Sequence, residues 1–226
     1  MTTLTETQLA SMLKMQDGMN SKVNPDWVAA NNNWHRAIQV EAVEAIEHHG
    51  WKWWKKQDCD MPQLRMELVD IWHFVLSAAI QHKHGNVALA KMDMLAEFTL
   101  HQKSIPFDNQ YYVLAQMSLL EKLDLLVGLA TSKRTSLALF ESLLLDCGMN
   151  WSELFKQYVG KNVLNIFRQD HGYKIGTYIK LWDGREDNEH LVEILGLIDL
   201  GAENVRDLLY ESLKQRYIIV LEKHSG

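Results

Sequence analysis

Apolar residues recur along most of this chain at three- and four-residue intervals, the spacing of a buried helical face rather than of a strand. Thr5-Glu6-Thr7-Gln8 has the form of a reciprocal helix cap, and Leu9, Met12, Leu13 and Gln16 follow at helical spacing, which predicts a first helix reaching about Asn20. Asn24-Pro25-Asp26 breaks it. Ile38, Ala42, Ala45 and Ile46 predict a second helix from about Trp34 to His49, stopped by Gly50. Pro62 opens a third, carrying Leu64, Leu68, Ile71, Val75 and Ala78 on one side and running to His84, where Gly85 closes it.

The same pattern predicts helices over Val87 to Leu100, Asn109 to Ala130, Thr135 to Cys147, Trp151 to Gln169, Glu186 to Ile198 and Ala202 to Lys223, with breaks at Ile105-Pro106, Gly148 and Gly201. No pair of segments carries a hairpin signal, no period repeats and no low-complexity linker intervenes. The expected fold is therefore all-α, a single multi-helix domain over residues 1–226. Asp170 to Arg185, with Gly172, Gly176 and Gly184, is the one long irregular segment, and such loops in helical domains often carry function.

Composition agrees with this and narrows the partners. A chain of 226 residues can bury a core without staples, and 12 glycines with 3 prolines favour regular structure. Asp and Glu outnumber Lys and Arg by 29 to 23, a net charge of -6 that argues against duplex nucleic acid as a general partner. No window approaches 18 uninterrupted apolar residues, and Met1 to Asn20 lacks the apolar run of a signal peptide, so no membrane association and a cytoplasmic location are expected. Cys59 and Cys147 are far apart and outside any zinc spacing, and are expected to be reduced thiols.

The acidic residues change the picture. Glu41 and Glu44 on the second helix, and Glu67 and Asp70 on the third, are pairs three residues apart, each projecting from one side of its helix. With Glu41 at zero, Ile38, Ala42 and Ala45 fall about 40° to 100° round the helix, and with Glu67 at zero Leu64, Leu68 and Ile71 fall at the same angles. Each pair thus borders a buried face instead of lying opposite it. Four carboxylates brought together where two helices pack repel strongly unless cations join them, and oxygen-only ligands select Mg2+ or Mn2+ over zinc or copper.

Six of the eight tryptophans, Trp27, Trp34, Trp51, Trp53, Trp54 and Trp72, fall in or beside these two helices. Three of them within Trp51-Lys52-Trp53-Trp54 cannot all point inward, so one is expected to line a cleft and stack on a planar ligand. A third cluster follows Gly160: Lys161, Asn165 and Arg168 share a helical face, and Tyr173, Lys180 and Asn188 follow, a donor set suited to a polyphosphate.

Taken together, Glu41-Ala-Val-Glu44, Trp51-Lys-Trp-Trp-Lys55, Glu67-Leu-Val-Asp70-Ile-Trp-His73-Phe74, and Gly160-Lys-Asn-Val-Leu-Asn165-Ile-Phe-Arg168 through Tyr173 to Glu186-Asp-Asn188 closely resemble the dimeric all-α dUTPases, relatives of MazG-type pyrophosphohydrolases and of phage dCTPase-dUTPases. The resemblance runs from about Gln16 to Asn188, with the motifs in order. It implies a MazG-like all-α core, a homodimer, and hydrolysis of dUTP, and of dUDP as well, to dUMP by water activated at two or more Mg2+ ions, with Mn2+ as a substitute. Pyrophosphate is then the second product from dUTP. It further implies that Glu41, Glu44, Glu67 and Asp70 hold the metal, that one carboxylate of Glu41 and Glu44 deprotonates the water, and that Lys161, Asn165, Arg168, Tyr173, Lys180 and Asn188 grip phosphates and sugar. Gln16 and Asn20 correspond to readers of the uracil edge, and Trp53 (or Trp54), His73 and Phe74 to walls of the base and deoxyribose pocket, with Phe74 crowding a 2′-hydroxyl. Glu47 stands where many relatives carry Asp, and Lys83 to Thr135 holds no recognisable motif; the apolar stretch Tyr111 to Leu129 is a candidate dimer helix.

Three other readings compete. Asp70-Ile-Trp-His73 is one of the two acid-x-x-His elements that a carboxylate-bridged di-iron protein needs. A helical binding module with an unused nucleotide pocket is the non-enzymatic alternative. Within the hydrolase reading, dCTP or a broad nucleotide range replaces dUTP if the pocket around Gln16, Asn20 and His73 selects otherwise, because an amide presents either its oxygen or its nitrogen.

Overall fold

The computed structural model describes residues 3–198 and 205–225, and among these the chain forms nine α-helices and two short hairpins. Helix α1 spans Glu6–Val23 and starts as the sequence indicates: Thr5 Oγ1 accepts from the Gln8 amide at 3.2 Å, and Gln8 Oε1 accepts from the Thr5 amide at 3.1 Å. Its buried stripe is Leu9, Met12, Leu13, Gln16, Met19 and Asn20, so the two polar members face the interior with the apolar ones. Helix α2 (Trp34–His49) ends at Gly50, whose φ of 82° is the left-handed conformation that glycine adopts without strain. Helix α3 (Met61–His82) begins one residue before Pro62, with Asp60 capping the Gln63 amide.

Helices α4 (Val87–Thr99), α5 (Leu119–Thr131), α6 (Leu137–Asp146), α7 (Trp151–Asp170), α8 (Asp187–Leu197) and α9 (Val205–Ser225) complete the set. The break expected at Gly201 and the helix start at Ala202 lie outside the described residues. Helix α2 packs along α3 and α5, while α1 packs against α7 and α3. One core gathers Leu9, Met12, Ile38, Leu68, Trp72, Leu126, Phe140 and Trp151; a second gathers Phe167, Trp182, Leu191, Leu213 and Tyr217. Met15 and Phe155 pack against both.

Two expectations are corrected. The helix foreseen from Asn109 starts only at Leu119, where Ser118 and Glu121 form a reciprocal cap. Upstream, β1 (Ser104–Phe107) and β2 (Gln110–Val113) pair antiparallel, Ser104 opposite Val113, around Asp108 and Asn109 at φ 49° and 60°. Positive φ at both central residues matches the right-handed twist of a two-residue hairpin. A second hairpin, β3 (Leu181–Trp182) and β4 (Arg185–Glu186), closes through Asp183-Gly184 in the same way. The dimer helix foreseen over Tyr111 to Leu129 is likewise not one element, and Leu123, Leu126 and Leu129 bury inside the chain's own core.

No helix among the described residues is long and apolar enough to cross a membrane. Both cysteines are free, Cys59 exposed and Cys147 buried, and burial pushes the Cys147 thiol up to about 12.

Candidate active site

Packing of α2 on α3 brings three of the four expected carboxylates together. Glu41, Glu67 and Asp70 each offer an oxygen within 4.8 Å of the others, and Glu67 is buried. Burial raises the Glu41 carboxyl to about 8, helped by the charges of Asp70, Glu67 and Glu44, and raises Glu67 to about 7 with Asp70 as its main neighbour. In the metal-free protein burial and the neighbouring carboxylates therefore hold both carboxyls well above the ordinary carboxylate range. His48 Nε2 stands 3.4 Å from Glu67 Oε1. Glu44 lies one turn further on and exposed, outside the group.

A group of close carboxylate oxygens that burial forces to keep protons is short of positive charge, and hard divalent cations supply it. The three side chains thus fit Mg2+ or Mn2+. His73 is not part of the group: its Nδ1 lies 2.7 Å from Gln16 Oε1, so the one acid-x-x-His element does not converge on these oxygens.

The basic cluster meets the acids from α7. Lys161, only 3% exposed, donates to Asp70 Oδ2 at 2.8 Å and to Asn188 Oδ1 at 3.0 Å. Arg168 reaches Asn165 Oδ1 at 3.2 Å and Asn188 Oδ1 at 3.4 Å, and Tyr173 lies under its guanidinium, 5.7 Å from ring centroid to Cζ. Lys180 stands apart, half exposed and paired with Glu186 at 3.1 Å.

The sequence reading missed what holds this cluster. Asp187, fully buried, accepts two bonds from Arg168, at 2.8 Å from Nε and 2.7 Å from Nη2, and a third from Tyr178 at 2.7 Å. Burial alone would raise the Asp187 carboxyl, but the Arg168 and Tyr178 bonds hold it below its ordinary value. Its place beside Asn188 was the only signal available.

A polar chain inside the core reaches α3 at His73, one helical turn after Asp70. Gln16 donates to Asn20 at 3.0 Å, Asn20 to Ser77 at 3.0 Å, and Ser77 to the His73 carbonyl at 2.9 Å. The Tyr158 hydroxyl lies 3.0 Å from Gln16 Oε1 and 2.9 Å from the Met12 carbonyl, and its ring stacks on His73 at 4.2 Å. Burial lowers the His73 ring to about 4, so it is neutral at physiological pH. Ser77 and Tyr158 were not anticipated, although Ser77 stands one helical turn from His73, the distance at which a serine bonds back to a carbonyl.

Phe74 stacks on Trp34 at 6.1 Å, beside this chain of bonds. Trp53 does not join Gln16, Asn20 and His73 here: it is 89% exposed and its ring contact is with Trp54 at 5.3 Å. Trp51 donates to Glu47 at 2.6 Å and Lys52 pairs with the same carboxylate, which fixes the loop after α2 and takes Glu47 away from the acid group. A groove of about 1120 Å³ between α1 and α7, lined by Met15, Phe155, Val159 and Leu195, borders none of the site carboxylates.

A family model described as dUTPase matches residues 8–173. The match takes in Gln16, the acids of α2 and α3, and Lys161 to Arg168, and ends before Asp187 and Asn188. No curated protein matches the chain.

Proposed function

Since the chain belongs to the dUTPase family, all-α hydrolases of dUTP, we propose that it cleaves dUTP between the α- and β-phosphorus to dUMP and pyrophosphate, with Mg2+, and accepts dUDP as well. The observation that carries the reading is the meeting of Glu41, Glu67 and Asp70 with Lys161: cation-seeking oxygens and an ammonium group side by side, as a metal triphosphate requires. When bound, the cations would neutralise phosphate oxygens and make water a nucleophile at neutral pH. Glu41, Glu44, Glu67 and Asp70 are the residues that would hold them.

The chain's own groups account for the rest. A carboxylate of the Glu41 and Glu44 pair takes the proton of the attacking water as its oxygen bonds one phosphorus of the α–β bridge and the bridging oxygen leaves on the other. Lys161 and Arg168 carry the charge that leaves, with Asn165, Tyr173, Lys180 and Asn188 around the phosphates and sugar. Gln16, Asn20 and His73 meet the nucleoside, Phe74 crowds a 2′-hydroxyl, and Trp53 or Trp54 serves as a base wall. Support for a single domain comes from Met15 and Phe155, which pack against both cores. Support for a homodimer comes from Val40, Val43, Trp53 and Trp54, apolar side chains left exposed on α2 and the loop after it.

Phosphorus NMR of the products from dUTP, dUDP, dCTP, dTTP and UTP, with and without Mg2+, tests this. dUMP and pyrophosphate from dUTP in Mg2+, with UTP and dTTP spared, is the expected result. Orthophosphate from dUTP, or equal turnover across the panel, overturns it.

A further inference from the structure

The chain of hydrogen bonds in the nucleoside pocket has a direction, and that direction follows from one carbonyl. A hydroxyl has a single proton, and Ser77 Oγ places its own on the His73 carbonyl, which can only accept. Toward Asn20 the serine must then accept, so Asn20 presents Nδ2 to it and Oδ1 to Gln16. Gln16 in turn presents Nε2 to Asn20 and Oε1 to His73 Nδ1. An amide oxygen cannot donate, so the proton of the neutral imidazole sits on Nδ1. His73 Nε2 is left as a bare acceptor, and it is one of two buried side-chain polar atoms without a partner among the described residues.

We infer that Ser77 is a positioning residue that, through Asn20 and Gln16, holds His73 in its Nδ1–H form and so reserves Nε2 for a hydrogen-bond donor of the bound nucleoside. The inference rests on the reading of this pocket as the nucleoside site. Two groups of a deoxyuridine nucleotide supply such a donor, the N3–H of uracil and the 3′-hydroxyl of the sugar. Cytosine lacks the first, since its N3 is itself an acceptor.

Tyr158 does not set the direction. If the amides and the imidazole were reversed, Gln16 Nε2 would face the phenol oxygen, which accepts while its proton goes to the Met12 carbonyl. The hydroxyl suits either arrangement, whereas the Ser77 bond to the His73 carbonyl survives in only one. Ser77 is fully buried, so no solvent stands in for it.

The test begins with nitrogen-15 NMR of the imidazoles in the ligand-free protein, which reads the His73 tautomer without any substrate. Wild type is expected to show His73 with its proton on Nδ1 alone, Ser77→Ala a mixture of both tautomers, and Tyr158→Phe the wild-type form. Turnover of dUTP, dCTP and 2′,3′-dideoxy-UTP by wild type and Ser77→Ala then identifies the donor. Ser77→Ala is expected to lower kcat/KM for dUTP by about tenfold, the worth of one hydrogen bond. If dCTP is spared that penalty the donor is N3–H; if the dideoxy nucleotide is spared it is the 3′-hydroxyl. An Nε2–H form in wild type, a tautomer unmoved by Ser77→Ala, or an equal penalty on all three substrates overturns the inference. Absence of dUTP turnover by wild type would overturn the nucleotide reading instead, with the tautomer result standing separately.

Discussion

Lys161 Nζ, on α7, lies 2.8 Å from Asp70 Oδ2, on α3, and this contact joins the acid group to the phosphate-side cluster. The lysine side chain is almost wholly buried, so its removal leaves Asp70 beside two further carboxylates with no counter-charge. Lys161→Met is expected to destabilise the metal-free protein by about 3 kcal/mol, the order found when one member of a buried pair is lost. Denaturant unfolding checks this, and Mg2+ should recover part of the loss.

Glu41→Gln and Asp70→Asn are expected to lower kcat for dUTP at least about 100-fold, since each removes a charge on which metal and water depend. Glu44→Gln should lower it comparably while leaving the melting temperature of the metal-free protein unchanged, because Glu44 is exposed in that state. Steady-state kinetics with parallel melts separates the two behaviours.

The acid group also fixes the sign of a pH dependence. Glu41 and Glu67 have carboxyls raised to about 8 and about 7 in the folded chain, well above their values in an unfolded one. The unfolded chain gives up these protons first, so their contribution to stability is complete at low pH and is lost as pH rises through the folded values. Melting of the metal-free protein should therefore fall from about pH 5 to about pH 9, and Mg2+, by pairing the ionised carboxylates, should flatten that fall. Glu41→Gln should flatten it without metal.

Asp187 works in the opposite direction. Its folded carboxyl is held below the ordinary value, so its contribution is present near neutrality and lost as pH falls through that lowered range. Asp187→Ala leaves Arg168 buried without its counter-charge, held only by Asn165, Asn188 and the Tyr173 ring, and is expected to cost about 3 to 5 kcal/mol. It should also lower activity through Arg168, which unfolding and kinetics on the same variant would show.

The extent to which the sequence disclosed all this varies by element. The caps at Thr5 and Gly50, and Pro62 behind the Asp60 cap, are local chemistry, and α1, α2 and α3 begin or end at them. The angular position of Glu41, Glu67 and Asp70 beside the apolar stripe is also local, and α2 on α3 turns it into a cluster. The hairpins were missed because β1 and β2 have four residues each and β3 and β4 two, too few to display alternation, while Tyr111, Val113 and Leu114 imitate the approach to an apolar helix. The bonds from Asn20 to Ser77 and between Gln16 and His73 run between α1 and α3, and those from Arg168 to Asp187 between α7 and α8. Such pairings depend on how helices meet, which no spacing within one helix records.

The most direct test of the central claim is dUTP turnover by the metal-stripped protein as Mg2+ is titrated back, in wild type and in Glu41→Gln. Pyrophosphate release that is absent in chelator, rises with Mg2+ in wild type and stays lost in the variant is the predicted result. Release that persists in chelator, or that Glu41→Gln retains within about tenfold, would contradict a metal held by these carboxylates.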